Sequence, residues 1–84
     1  MDIITEMETY ARAHDVPIME KEGIAFMLDV IQTHGCRRIL EIGTAIGYSA
    51  IRMALASCGH VDTVERSAEL ASLARTYISR AALE

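Results

Sequence analysis

The sequence predicts an α/β chain that begins a doubly wound parallel sheet, and three observations carry that prediction. Arg38-Ile39-Leu40-Glu41-Ile42 is a short apolar run that enters a glycine loop, Gly43 to Gly47, and the loop opens a helix. A second apolar stretch, Val61-Asp62-Thr63-Val64-Glu65, ends in a carboxylate 22 residues beyond Gly43, where such sheets place the acid that grips a ribose. Ahead of both strands lie two segments with helical period.

Each element has its own signal. Ile3, Ile4, Met7, Tyr10, Ala11 and His14 recur at steps of three and four, the spacing of an amphipathic helix, and Pro17 stops it. Glu22 to His34 repeats the period through Ile24, Met27, Leu28 and Ile31, with Gly35 as its C-terminal stop. The first strand is expected at Arg37 to Ile42 and the crossover helix at Ile46 to Ala56. Cys58-Gly59-His60 makes the return turn into the second strand, Val61 to Glu65, joined right-handedly as such crossovers almost always are. Ser67 caps a last helix that runs to Leu83. The whole reads as one partial domain over 1–84, with a helical segment at 1–35 and the first half of a sheet at 36–84.

Glycine placement restricts what the loop can hold. A dinucleotide fingerprint counted from Gly43 needs glycines at 45 and 48, and the chain has Ala45 and Tyr48. A P-loop needs a lysine after its second glycine, and no lysine follows Lys21. NAD, FAD, ATP and GTP are therefore disfavoured. Gly43 lets the backbone turn off the strand and come close to a ligand. Glu41 is placed to accept hydrogen bonds, either from loop amides or from a cationic ligand group. Thr44 offers an amide and a hydroxyl to an anionic end, and Ser49, in the first turn of the helix, offers another donor there or simply begins the helix. Glu65 at a strand tip can take both hydroxyls of a ribose, or can pair with Arg66 as a surface acid.

The pattern E-x-G-x-x-x-G, Glu41 to Gly47, resembles motif I of the class I S-adenosylmethionine-dependent methyltransferases. Together with Pro17-Ile18-Met19-Glu20, the run Ile39 to Ala54 and Thr63-Val64-Glu65-Arg66, the chain resembles the cation-dependent O-methyltransferases of the catechol and caffeoyl-CoA type, and most of all the bacterial tRNA 5-hydroxyuridine enzymes. The resemblance implies the N-terminal half of a Rossmann-like methyltransferase fold, with two helices followed by β-α-β-α. It implies S-adenosylmethionine as cofactor, bound by Met19, Glu41, Gly43, Thr44, Ser49 and Glu65. It also implies a hydroxyl acceptor, on tRNA or on a catechol-like or caffeoyl-CoA-like small molecule. The family's magnesium ion is held by later strands, so no metal or catalytic residue is assigned within these 84 residues. Family members are more than twice as long, so this chain alone is expected to be inactive, and an incompetent, self-associating fragment is the alternative reading.

Composition fits a cytoplasmic globular piece. It is 51% hydrophobic and 24% charged, with a formal charge of −4. Glu6, Glu8, Arg12 and Asp15 interrupt the first apolar residues, so neither a signal peptide nor a membrane span is expected. The acidic total disfavours a large nucleic-acid footprint, and Arg37-Arg38 lies at the strand end away from the loop, so most contacts to a tRNA would come from elsewhere. Cys36 and Cys58 lack metal-ligand spacing and read as free thiols, and His14, His34 and His60 have no ligand-like neighbours. Two strands leave both sheet edges and one helix face uncovered, which predicts self-association as a homo-oligomer, most simply a dimer. The contact would run through apolar faces of the first two helices, or strands of two copies would join in one sheet.

Overall fold

A computed structural model describes residues 2–57 and 59–83; Cys58, part of the expected return turn, lies outside them. The element order is α1 (Ile3–Ala13), α2 (Lys21–His34), β1 (Arg38–Ile42), α3 (Tyr48–Ser57), β2 (His60–Val64) and α4 (Ala68–Arg80). The two strands pair in parallel with Arg38 opposite His60, Glu41 opposite Thr63 and Ile42 opposite Val64. The fold is the α/β arrangement expected, two helices and then β-α-β-α.

Helix ends differ slightly from expectation, for local reasons. Asp2 caps α1 by accepting from the Thr5 amide at 2.9 Å. Pro17 does not stop this helix, because it has already ended. Asp15 turns left-handed at φ 53°, and Val16 N–H donates back to the Ala11 carbonyl at 2.9 Å. The same closure ends α2, where Gly35 is left-handed and Cys36 N–H reaches the Ile31 carbonyl, and α4, where Ala82 at φ 59° lets Leu83 N–H reach Ile78. Ser67 caps α4 by accepting from Leu70 N–H, as expected. The crossover helix starts at Tyr48 rather than Ile46, since Gly43, Ala45 and Gly47 all have positive φ and hold the loop non-helical until Gly47 is passed.

The core is built from both ends of the chain. Met7 and Ala11 of α1 meet Ile46, Tyr48 and Ile51 from the loop and α3, and Tyr77 from α4. Met7, Ile46 and Ile51 are the largest fully buried side chains, each contributing about 1.5–3 kcal/mol by leaving water. α1 is also tied to α4 on the surface, where Arg80 donates to both carboxylate oxygens of Glu6 at 2.8 and 2.6 Å, and Tyr10 meets Tyr77 edge-on.

The sheet has one covered and one open face. Ile39, Glu41, Val61 and Thr63 alternate onto the half-buried side that faces the helices. Leu40, Ile42 and Val64 point the other way and are 69%, 78% and 53% exposed. Phe26 of α2 and Leu55 of α3 are also exposed apolar side chains.

Candidate cofactor site

The site forms where β1 ends and its backbone turns. Gly43 sits at φ 92°, and a Cβ built there would meet nothing within 4 Å, so the space above it is open. Its amide and that of Thr44 both donate to the Val64 carbonyl, at 2.8 and 3.1 Å, which fastens the loop to the end of β2. Ala45 follows in the left-handed region at φ 49°, a conformation that costs a non-glycine residue roughly 1–3 kcal/mol and is held by its surroundings.

What holds Ala45 is Glu65. One carboxylate oxygen accepts from the Ala45 amide and the other from the Ser67 amide, both at 2.8 Å. The Ser67 amide first, and the Ala45 amide next, hold the Glu65 carboxyl below the usual carboxylate range, while the nearby charge of Arg66 adds least. Each carboxylate oxygen has a second lone pair, so the group retains two acceptor positions for a ligand's hydroxyls. Glu65 falls just past β2, which places its side chain at the loop rather than on a face of the sheet.

Loop bracing, expected as one role of Glu41, therefore sits on Glu65. Glu41 is inside β1 on the helix-facing side, and its partners are hydroxyls. Thr63 Oγ1 donates to Glu41 Oε1 at 2.8 Å, and Ser49 Oγ donates to Glu41 Oε2. Thr44 likewise departs from expectation. Its amide goes to Val64, its hydroxyl meets Thr63 Oγ1 at 2.5 Å, and the side chain is buried, so neither donor is turned to the open space. Ser49 is in the first turn of α3 as expected, with its hydroxyl proton on Glu41.

Five of the six expected residues line one cleft. Met19, Glu41, Gly43, Thr44 and Ser49 surround about 300 Å³, closed on one side by Pro17 and Ile18. Glu65 lines an adjoining hollow of about 550 Å³ with Val64 and Arg66, and the two share Ile42 and Gly43. The bare backbone of Gly43 thus lies between the Glu41–Ser49 pair and Glu65. An elongated ligand with a cationic group at one end and vicinal hydroxyls beyond it matches this order of groups. Because Tyr48 and Ser49 line the cleft, its wall includes the N-terminal end of α3, whose first amides have no acceptor within the helix.

Two features were not anticipated. Thr63 is one, since neither its strand nor the segment Thr63-Val64-Glu65-Arg66 gives its hydroxyl a role in the sequence reading. The other is a cluster behind the loop, in which Tyr48 donates to Glu8 of α1 and Arg52 donates to the Tyr48 oxygen at 2.8 Å. Burial, and then the bond to Glu8, raises the Tyr48 hydroxyl above its ordinary value. The pair is 40 residues apart in sequence, so no local pattern marks it. His14 and His34 bond carbonyls one turn back, and His60 meets Asp62 at 2.9 Å on the surface. Among the described residues no three His, Cys, Asp or Glu side chains gather as a metal site, and no helix is long and apolar enough to cross a membrane. Cys36 is a half-buried free thiol.

A family model described as O-methyltransferase matches residues 2–84. The chain belongs to the O-methyltransferase family. It is 39% identical over 69 residues to a protein-L-isoaspartate O-methyltransferase of Methanocella arvoryzae, a match covering 80% of this chain and 37% of that protein. A Staphylococcus aureus protein assigned as a caffeoyl-CoA O-methyltransferase superposes with a TM-score of 0.93 at 30% identity, over 100% of this chain and 41% of its own. An O-methyltransferase from Bacillus cereus, solved with S-adenosylhomocysteine, gives 0.82 at 36% identity, over 99% of this chain and 40% of its own. The chain thus spans about two fifths of the family members it matches, and the shared part is the N-terminal portion of the Rossmann-like fold.

Proposed function

We propose that this chain is the cofactor-binding portion of an S-adenosylmethionine-dependent O-methyltransferase that transfers a methyl group to a hydroxyl. The observation that carries this reading is the open backbone of Gly43, flanked by Glu41 and Ser49 on one side and Glu65 on the other. In it Glu41 faces the methionine ammonium, Glu65 takes the ribose hydroxyls, and Met19 packs along the cofactor. The bound cofactor supplies an electrophilic methyl on a sulfonium. The residues of this chain bind and orient it.

The acceptor we propose is the hydroxyl of 5-hydroxyuridine in tRNA, on the strength of the motif resemblance. An isoaspartyl carboxyl, suggested by the names of curated relatives, is the competitor. The products differ in chemistry, since a methyl ester is hydrolysed by mild base and an aryl-type ether is not. Magnesium, if used as in the resembling enzymes, would be held by residues outside this chain, and no step here depends on it. The setting we propose is cytoplasmic.

Calorimetric titration with S-adenosylhomocysteine tests the cofactor reading. Saturable one-site binding is expected, and absence of heat from a sample shown to be folded would overturn it.

A second reading, self-association, is favoured by the open sheet face. We propose that copies of the chain pair through Leu40, Ile42 and Val64, with light scattering giving a concentration-dependent mass. Replacing Leu40 and Ile42 by lysine should return the monomer. A wild-type chain that stays monomeric at high concentration would rule the pairing out.

A further inference from the structure

We infer that Thr63 is a positioning residue for the amino-acid end of the cofactor, acting through Glu41; the inference rests on the cofactor reading above. Thr63 stands directly opposite Glu41 in the parallel register, so the pairing of β1 with β2 sets their approach. Its hydroxyl has two partners, Glu41 Oε1 at 2.8 Å and Thr44 Oγ1 at 2.5 Å. A hydroxyl carries one proton, and an ionised carboxylate only accepts. Thr63 therefore spends its proton on Glu41, and Thr44 must donate to Thr63. The bonds run in one direction, from Thr44 to Thr63 to Glu41, and Ser49 completes the set on the other carboxylate oxygen.

This chain of bonds joins the buried root of the glycine loop to a carboxylate at the cleft. Thr44 borders the same cleft but is only 5% exposed, with its hydroxyl turned to Thr63, whereas Glu41 is half-buried at the cleft wall. Each oxygen of Glu41 is pinned by a hydroxyl from a different element, β2 for one and α3 for the other. Without the Thr63 hydroxyl, Glu41 would keep only the Ser49 tether, and the buried Thr44 hydroxyl would lose its acceptor. A carboxylate free to swing is a poorer partner for a fixed ammonium, because its ordering must then be supplied on binding.

The test compares two ligands that share adenosine and differ in the group Glu41 would meet. S-adenosylhomocysteine carries the amino-acid end, and 5′-methylthioadenosine lacks it. Thr63→Val preserves shape and removes the hydroxyl. It should weaken S-adenosylhomocysteine roughly tenfold, the scale of one hydrogen bond to a charged group, and leave 5′-methylthioadenosine, measured by displacement, unchanged. Thr63→Ser, which restores the hydroxyl, should recover the affinity, and Glu41→Gln should reproduce the selective loss. If Thr63→Val does not fold, Thr63→Ala is read in the same way. Equal losses for both ligands would make Thr63 a purely structural residue and overturn the inference, as would no loss for either. A folded wild-type chain that binds neither ligand would instead overturn the cofactor reading itself.

Discussion

Glu65→Ala is expected to lower affinity for S-adenosylhomocysteine by roughly 10- to 100-fold, the scale of losing charge-assisted hydrogen bonds. Two losses coincide. The ribose hydroxyls lose their acceptors, and the Ala45 amide loses the partner that keeps the loop in a left-handed turn. Glu65→Gln retains one acceptor oxygen and should fall between wild type and alanine. The acid dependence follows the same bonds. The Glu65 carboxyl lies lower in the folded chain than the ordinary glutamate value of about 4.3, so its stabilising effect is complete above that value. It is lost as pH falls through the depressed folded value. Loop bracing should therefore be constant across neutral pH and fail only in acid, which titration of affinity with pH would show. An alanine variant with wild-type affinity would remove Glu65 from the site.

Gly59→Ala is expected to destabilise the whole fold by about 3 kcal/mol, the upper end of overpacking costs. The added Cβ would lie 2.3 Å from the Arg37 carbonyl oxygen and 2.7 Å from the Arg37 Cα, so the obstacle is backbone rather than a movable side chain. The clash falls beside the bond from His60 N–H to the Arg37 carbonyl, which lines up the starts of β1 and β2. Domains of this size bury only about 60% of their unfolded surface and have little stability in reserve. Thermal denaturation should show a large fall in midpoint or no transition. An unchanged midpoint would mean that Gly59 does not press against the Arg37 backbone.

Much of the fold was legible because its signals are local. Helical period fixed α1 and α2, and the glycines at 43 and 47 marked the loop between β1 and α3. What escaped depended on geometry across elements. The start of α3 shifted to Tyr48 because Ala45, which has no glycine's mark in the sequence, also adopts positive φ. Pro17 looked like the helix stop because proline is conspicuous, yet Asp15 had already turned the chain. The roles of the two acids were separated by position relative to a strand end. Glu41 has the parity of Ile39 and faces the helices, while Glu65 has left the sheet and reaches backbone amides. Strand alternation gives a residue's side, but only register reveals that Thr63 stands across from Glu41.

The closure of α1 onto α4 has a thermodynamic consequence for the loop. Tyr48 follows Gly47 directly, and it belongs to the buried cluster that also holds Met7 from one end of the chain and Tyr77 from the other. The phenol is held by Glu8, again from α1. Detaching the first helix would therefore strip the packing from the residue that anchors the loop. Cofactor occupancy and docking of α1 are then linked equilibria, and a ligand seated above Gly43 protects amides in a helix it never touches.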